Sequence, residues 1–263
     1  MSDDLVLCDV AERVATVTMN RPGALNALSD AMLAALDGTL ARLEGDPAVR
    51  VIVLRGAGKV FCAGHDLKEM QAGRAAADKG AAYFADLFAR CGALMQRIPR
   101  MPQPVIAQVH GIATAAGCQL VASCDMAVAT ADARFGVNGV NIGLFCSTPM
   151  VALTRNLPRK QAFEMLTTGA FIPAERAREV GLVNQVVPPA ELESATLELA
   201  RTVAGKLGAA VRIGKRAFYD QIGLPLDQAY AMTGAAMVDN MLLRDTDEGI
   251  SAFIDKRKPD WAL

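Results

Sequence analysis

Two short segments, about fifty residues apart, each place small residues between an apolar, strand-like run and a helix-like run. The first, residues 60–67, reads Val-Phe-Cys-Ala-Gly-His-Asp-Leu, and the second, residues 110–120, reads His-Gly-Ile-Ala-Thr-Ala-Ala-Gly-Cys-Gln-Leu. A strand that opens into a helix in this way leaves unpaired backbone N–H groups at the helix start, where the helix dipole favours negative charge. If the two turns face each other, their N–H groups can stabilise an oxygen atom on which negative charge develops.

In their order and spacing, the two motifs are similar to those of the enoyl-CoA hydratase/isomerase (crotonase) superfamily, and the resemblance covers nearly the whole chain. In that family two backbone N–H groups hold the thioester oxygen of an acyl-CoA as it becomes an enolate. The resemblance assigns these groups to His65 and Ala116; for Gly64 and Gly117, simple turn geometry is the alternative. It implies an α/β fold in which ββα turns stack into a right-handed spiral, followed by a C-terminal helical extension.

The two positions at which the family's hydratases carry glutamates hold other residues in this chain. They are occupied by Gln119, two residues after the last glycine of the second motif, and by Gly139, about twenty residues further on. Because glutamine cannot exchange a proton as a carboxyl group does, the resemblance implies an oxyanion hole without the usual acid and base. We expect an enolate-stabilising acyl-CoA enzyme, classed with the enoyl-CoA hydratases and isomerases of fatty acid metabolism. A malonyl-type acyl-CoA decarboxylase and a non-catalytic acyl-CoA-binding protein are the alternatives.

Three other side chains near the motifs are candidates for the chemistry. The imidazole of His65 titrates near pH 6.5 when unperturbed and could act as acid or base, although the resemblance favours a role for its backbone alone. Asn141 flanks the second vacated position and is limited to hydrogen bonding. Cys146 lies on the loop expected to close the pocket, either as a thiol nucleophile or, since no base is near it in sequence, as a small lining residue.

Acyl-CoA recognition is implied by the resemblance at both ends of the chain, with coenzyme A as part of the substrate and no separate cofactor. The alternative for the charged residues is a solvated surface. The family binds the nucleotide and pantetheine at positions that are occupied here by Arg21, Ala24, Leu25, Ala63, Gly64, Asp66, Leu67, Lys68, Gly117, Phe253 and Lys256. The resemblance places Phe253 and Lys256 on a C-terminal helix that reaches the adenine.

Apolar spacing predicts how the chain is organised. Strands are expected at 14–19, 49–54, 105–109, 126–129 and 183–187, and helices at 29–44, 81–98, 116–123, 158–167 and 173–180. Beyond a boundary near residue 200 helices dominate, which gives a spiral core at 1–200 and a helical region at 201–263. The family uses this region to build trimers and hexamers, so its apolar face is either a subunit interface or an intrachain core; it comprises Met232, Ala235, Ala236, Met237, Met241 and Leu242.

Composition excludes several classes of protein. A net charge of −1 over 263 residues argues against a surface that binds nucleic acid. The six cysteines form no Cys-x-x-Cys pair and only two histidines are present, which argues against a zinc site. The sequence contains no uninterrupted run of about 18 apolar residues, so we do not expect a membrane span. The N-terminus shows no targeting pattern, so we expect a cytoplasmic location with reduced thiols.

Overall fold

The computed structural model describes residues 4–261, which form strands, α-helices and short 3₁₀ turns. The strands are β1 Val6–Ala11, β2 Val14–Met19, β3 Val51–Gly56, β4 Val105–Val109, β5 Ile112–Thr114, β6 Met126–Thr130, β7 Arg134–Gly136, β8 Ile172–Pro173 and β9 Gln185–Val187. The helices are α1 Asp30–Glu44, α2 Leu67–Gly73, α3 Ala81–Arg100, α4 Ala116–Ser123, α5 Ser147–Asn156, α6 Arg159–Thr168, α7 Ala174–Glu179, α8 Leu192–Ala204, α9 Gly208–Gln221, α10 Leu226–Met241 and α11 Arg244–Ile254.

The strands form two sheets that run along a spiral. The larger sheet has the order β1-β2-β3-β4-β6-β9, in which β1 and β2 are antiparallel and the other neighbours are parallel. The smaller sheet has the order β5-β7-β8. Because β5 directly follows β4 and β7 directly follows β6, each turn of the chain contributes one strand to each sheet and then a helix. This is the ββα spiral expected from the sequence, and the α/β fold class is confirmed.

Apolar side chains fill both faces of the larger sheet. On one face, Met19, Ile52 and Leu54 join the main core together with the buried side of α1 and α3. On the other face, Val51 and Val53 pack with residues of α8 in a second cluster. The near-continuous apolar strands follow from burial on both sides. None of the helices in residues 4–261 has the length and apolar character needed to cross a membrane.

Most of the predicted elements are present, with small shifts at their ends. Ser29 caps α1 as expected, since its side chain accepts a hydrogen bond from the Met32 N–H at 3.1 Å. Pro99, expected to stop the preceding helix, lies inside the last turn of α3. The strands β1, β5, β7 and β8 and the helix α5 were not predicted. The position near residue 200 that the sequence suggested as a boundary lies inside α8, which packs on the larger sheet.

Candidate active site

Hydrogen bonds join the two small-residue motifs side by side. The N–H of Cys62 donates to the Ile112 carbonyl at 3.2 Å, and the N–H of Thr114 donates to the Cys62 carbonyl at 3.0 Å. Cys62 thus pairs in parallel with Ala113 of β5, and the first motif runs alongside the second. The two turns therefore approach each other immediately beyond Cys62 and Thr114, where each chain enters its helix.

Glycine is required at both motifs because the two backbones are in contact. A Cβ atom on Gly64, whose φ is +86°, would lie 2.9 Å from the Ala115 Cβ and 3.3 Å from the Ala116 nitrogen. A Cβ atom on Gly117 would lie 2.3 Å from the Cys62 carbonyl oxygen. Both distances to the neighbouring backbone exclude a side chain without movement of the other motif. Close approach, together with the positive φ of Gly64, explains these glycines.

Two backbone N–H groups at this junction have no internal acceptor. Ala116 is the first residue of α4, so its N–H belongs to the unpaired first turn of the helix. The preceding Ala115 has a φ of +50°, and its own N–H is held by the Gly136 carbonyl at 2.9 Å. The carbonyl of Gly64 accepts from Leu28 at 2.8 Å. Within residues 4–261, the N–H groups of His65 and Ala116 donate to no acceptor, which leaves both for a ligand.

A cavity of about 290 Å³ lies beside these N–H groups. Its lining is mostly apolar, and among the described residues it contains no carboxylate, lysine or arginine. It comprises Ala63, His65, Leu67, Met70, Phe88, Thr114, Ala115, Ala116, Asn138, Gly139, Ile142, Leu144, Phe145, Cys146, Ser147, Thr148 and Pro149. An apolar cavity with two convergent backbone donors suits an acyl chain whose carbonyl oxygen meets those donors.

The two vacated glutamate positions lie in different environments. Gln119 is buried in α4, is absent from the described cavity lining, and has a side-chain oxygen without a hydrogen-bond partner. Gly139 lies in the 3₁₀ turn Asn138–Ile142 and does line the cavity. A Cβ atom there would lie 2.3 Å from the Leu144 carbonyl oxygen and 2.8 Å from the Cys146 Sγ. The loop therefore packs so closely against Gly139 that it leaves no space for a side chain there.

Cys146 and Asn141 differ in their relation to the cavity. Cys146 is buried at its wall beside Gly139, and burial raises the pKa of its thiol, so the sulfur is protonated at neutral pH. Asn141 is absent from the described lining; its side chain lies against Gly169, where a Cβ atom would come within 2.7 Å of the Asn141 Oδ1. The structure thus brings Cys146, but not Asn141, to the wall of this cavity.

The ring of His65 is buried against helix α3. The ring packs edge-to-face against Phe88, with centroids 5.8 Å apart. Both ring nitrogens are buried, and the backbone of Leu28 is close to them. Burial lowers the pKa of the imidazole, and the repulsion of Arg90 lowers it further, while the Leu28 carbonyl and Asp30 oppose the effect. The imidazole is therefore neutral at pH 7.

The residues expected to contact coenzyme A occupy two separate regions. Arg21 donates to Asp66 at 3.0 Å, and Asp66 caps α2 by accepting from the Lys68 N–H at 3.0 Å. Ala63 donates its N–H to the Leu25 carbonyl at 3.1 Å, which holds the segment of Ala24 and Leu25 along the first motif. Ala63 and Leu67 line the cavity.

The second region is the end of α11. Phe253 is 84% exposed, and Lys256, at φ +55°, follows the helix. Neither belongs to the described cavity lining. Sequence reasoning singled out Asn138, which does line the cavity, but missed other lining residues, among them Met70, Phe88, Thr114 and Phe145. Phe88 stood out only as part of an apolar helix face, which does not distinguish a cavity wall from core.

Comparison with known proteins extends over almost the whole chain. Human enoyl-CoA hydratase domain-containing protein 3, mitochondrial, is 47% identical over 249 residues, which are 95% of this chain and 80% of that protein. Proteins with the same name from mouse and Xenopus laevis are 45% and 46% identical. The cytoplasmic location expected from the sequence is contradicted by these relatives, whose names point to mitochondria. The absence of a recognisable targeting pattern was not a sufficient basis for that expectation.

Bacterial relatives and solved structures agree with this comparison. The short-chain-enoyl-CoA hydratase of Clostridium acetobutylicum is 33% identical over 96% of this chain and 95% of its own length. The structure of enoyl-CoA hydratase from Mycobacterium smegmatis is 54% identical with a TM-score of 0.94, over 98% of each chain. Human enoyl-CoA hydratase domain-containing protein 3 has a TM-score of 0.93 at 45% identity, over 98% of this chain and 100% of that one. The model of the enoyl-CoA hydratase/isomerase family matches residues 9–262, and the chain belongs to this family.

Proposed function

We propose that the protein binds an acyl-CoA thioester with its carbonyl oxygen between the N–H groups of His65 and Ala116, and that it stabilises the enolate of that thioester. The observation that carries the proposal is the pairing of the two motifs, which leaves these two N–H groups without acceptors beside an apolar cavity. Preorganised donors of this kind contribute roughly 10²- to 10³-fold each to a reaction in which charge develops on oxygen.

The proposed ligand lies partly in the cavity and partly on the protein surface. The apolar lining takes the acyl group, and coenzyme A, which is part of the substrate, lies along Arg21, Leu25 and Lys68. Lysine suits phosphate as a mobile point charge. Phe253 and Lys256 are proposed to reach the adenine end from another subunit. The names of the bacterial relatives, short-chain-enoyl-CoA hydratase and crotonyl-CoA hydratase, support an acyl-CoA substrate.

The lining favours enolate formation over hydration. Addition of water needs a group that activates the water and one that protonates the α-carbon, and no carboxylate of the described chain lines the cavity. The same observation favours malonyl-type decarboxylation as the second candidate, because loss of CO₂ generates the enolate without removal of a proton. A non-catalytic acyl-CoA-binding protein remains the third hypothesis, and it differs from the other two in showing no turnover.

The assembly is proposed to be a homotrimer, alone or stacked as a hexamer. The helix α10 has no buried residue, and Met237 and Leu242 are 65% and 79% exposed in the single chain. The expectation of an intrachain core is therefore not met for these side chains. A contiguous apolar face of this kind is typical of a subunit interface, and closed cyclic symmetry is the common way to cover it.

The oxyanion hole is tested with acetoacetyl-CoA, whose enolate has its own absorption band. We expect the band to increase when the protein binds the compound, because the two N–H groups favour the anionic oxygen. An S-alkyl thioether of coenzyme A, which lacks the carbonyl, is the matched ligand and should bind more weakly. Binding of both compounds with equal affinity and without an enolate band would contradict the proposal. Mass spectrometry of products from 2-enoyl-, 3-enoyl- and malonyl-type thioesters then identifies the reaction.

A further inference from the structure

The backbone that leads to the His65 N–H has no regular structure of its own. Residues 57–64 connect β3 to the turn before α2 and form only turns, bends and isolated bridges. The Ala116 N–H, by contrast, is fixed in the first turn of α4. Two donors stabilise one oxygen only when both keep their places, and a displacement of about 1 Å can cost about 10²-fold in rate. The first donor therefore depends on whatever holds residues 57–64.

This backbone is held from two sides. The second motif pairs with it on one side, and residues 25–28 pair with it on the other. On that second side the N–H of Leu28 donates to the Gly64 carbonyl at 2.8 Å, and Leu28 is paired in parallel with His65 itself. The place of the first donor is therefore coupled to the place of residues 25–28.

A single buried amide, that of Asn26, joins this segment to the first motif. Asn26 is fully buried. Its Nδ2 donates to the carbonyl oxygens of Ala57, Val60 and Phe61, at 2.8, 2.9 and 3.2 Å. The two amide hydrogens are therefore shared among three acceptors. The backbone carbonyl of Asn26 accepts in turn from the Cys62 thiol at 3.2 Å. Asn26 thus binds the first motif at each of these residues, just before the turn that carries the donor.

The backbone of Asn26 and its side-chain oxygen complete the connection. The residue has a φ of +52°, a left-handed conformation that asparagine adopts more readily than most residues with a side chain. Its Oδ1 accepts from the Arg21 N–H at 3.1 Å. Since one end of the amide meets carbonyl oxygens and the other end meets an N–H, the partners fix its orientation. The amide therefore lies between the first motif and Arg21, which is proposed to lie along coenzyme A.

We propose that Asn26 is the positioning residue of the oxyanion hole, because its side-chain amide fixes the first motif and so keeps the His65 N–H in place relative to the Ala116 N–H. This inference rests on the proposed function, since it needs the hole to receive a thioester oxygen. Asn26 is absent from the described lining of the acyl cavity, so it acts through the backbone that it binds. The hole is thus built from two turns that meet and a third segment that holds one of them.

Two replacements of Asn26 remove the amide donor in different ways. Asn26→Gly deletes the side chain and keeps the left-handed backbone without steric strain. Asn26→Asp has nearly the same shape and keeps an acceptor for the Arg21 N–H, but its carboxylate cannot donate to the three carbonyl oxygens that it faces. Either variant is sufficient for the test by itself if the other does not fold.

Ser29→Ala is the matched control, because it removes a buried hydrogen bond from the same stretch of chain. Ser29 caps α1 by accepting from the Met32 N–H at 3.1 Å, and within residues 4–261 its side chain makes no hydrogen bond to the first motif. Ser29→Ala and both Asn26 variants should unfold at a lower temperature than the unmodified protein. Only the Asn26 variants should disturb the oxyanion hole.

The readouts are the enolate band of acetoacetyl-CoA and the ratio of its affinity to that of the S-alkyl thioether of coenzyme A. The ratio reports the hole alone, because unfolded protein lowers both apparent affinities equally. We expect the Asn26 variants to lose the band and to lower the ratio by about 10²-fold, the effect of a displacement of about 1 Å. Asn26→Asp should keep the affinity for the thioether, since Arg21 stays in place. Ser29→Ala should keep both the band and the ratio.

The outcomes separate this inference from the proposed function. A folded Asn26 variant with the full band and an unchanged ratio would overturn the role of Asn26 and leave the oxyanion hole standing. Equal losses in Ser29→Ala would also overturn it, because they would assign the effect to a general loss of stability. Absence of the band in the unmodified protein would overturn the proposed function, and the role of Asn26 with it.

Discussion

The ammonium group of Lys215 lies 2.7 Å from a carboxylate oxygen of Asp125; Lys215 is buried and Asp125 is largely shielded from solvent. Lys215 also donates to the carbonyl oxygens of Ile98 and Gln103, at 2.8 Å each. Asp125 accepts from the Tyr219 hydroxyl at 2.8 Å and from the Val105 N–H at 2.6 Å. Every donor of the ammonium group therefore has an acceptor. The contacts fasten α9, the first helix of the C-terminal region, to the end of α3 and the start of β4.

Removing the cation of this pair should destabilise the protein strongly. Lys215→Met leaves the Asp125 carboxylate buried without its counter-charge, and breaking a buried pair in this way costs about 3–5 kcal/mol. The free energy of unfolding, obtained from urea denaturation, is the measurement. Replacing both residues, as in Lys215→Met with Asp125→Asn, should recover part of the loss because no unpaired charge remains.

A neighbouring residue provides the matched control for Lys215. Arg216 lies on the solvent side of the same helix and pairs with Asp220 at 3.5 Å, with both side chains exposed. Exposed pairs contribute about 0–1 kcal/mol, so Arg216→Met should change the free energy of unfolding little. An equal loss from both substitutions would show that the buried pair has no special role.

A side chain at Gly139 should disturb the active-site loop. Gly139→Ala brings a Cβ atom to 2.3 Å from the Leu144 carbonyl oxygen, so the loop must move, and overpacking of this kind costs about 1–3 kcal/mol. We expect lower acyl-CoA affinity together with lower stability. Gly38→Ala in α1 is the control, because a Cβ atom there has nothing within 4 Å. It should raise stability by about 1 kcal/mol.

Hydration of crotonyl-CoA should be slow. Neither Gln119 nor Gly139 can transfer a proton, so we expect a turnover number well below the enzyme median of about 10 s⁻¹. Gln119→Glu with Gly139→Glu restores the residue types but should not restore the rate, because the loop leaves no space at position 139. Rapid hydration by the unmodified protein, followed by ultraviolet absorbance of the enoyl thioester, would show that another group supplies these protons.

The fold and the facing of the two motifs were expected from the resemblance to the enoyl-CoA hydratase/isomerase family, whereas the turns and the first helix cap have local causes. Small residues between apolar runs fix the strand-to-helix turns, and the α1 cap follows from Ser29 alone. The short β1, by contrast, is a half-exposed edge strand with little apolar pattern. The helix α2 has seven residues and depends on its Asp66 cap. Elements of this kind are defined by their neighbours rather than by periodicity.

The packing of the side chains around the site could not be predicted, because it depends on contacts between residues that are distant in sequence. A glycine at 139 suggests only a missing glutamate until its contact with the Leu144 backbone is known. The sequence likewise gives no sign that the His65 ring is buried beside Phe88. Burial and unmet hydrogen bonds are properties of the folded chain, and they decide which of the candidate side chains can act.

Glu248 should control the segment that carries Lys256. Its carboxylate accepts from the Arg257 guanidinium at 2.6 and 2.9 Å and from the Asp260 N–H at 2.7 Å. We expect Glu248→Gln to loosen this segment and to weaken acyl-CoA binding, because Lys256 is proposed to meet the nucleotide. The affinity for an acyl-pantetheine, which lacks the nucleotide, should not change. Equal weakening of both ligands would place the effect at the acyl cavity instead.

The same contact should depend on pH in a defined direction. Arg257 lowers the pKa of Glu248 from 4.5 to about 2. A lowered carboxyl pKa means that the contact stabilises the folded segment above about pH 4.5 and is lost as the pH falls from 4.5 toward 2. Amide hydrogen exchange of residues 256–260 should therefore accelerate, relative to the intrinsic rate, over that interval. In Glu248→Gln the relative rate should stay constant there.

The apolar face of α10 should hold subunits together. Met237 is 65% exposed in the single chain, and Val238 and Met241 beside it are also exposed. Met237→Glu would bury an unpaired carboxylate in the proposed interface, which is unfavourable, so we expect the assembly to dissociate in sedimentation and light-scattering measurements. Lys160→Glu, a charge change on the polar surface of α6, should leave its mass unchanged. Acyl-CoA affinity should fall with the assembled fraction if Phe253 and Lys256 come from another subunit. A monomer of the unmodified protein at micromolar concentration would refute the proposed assembly.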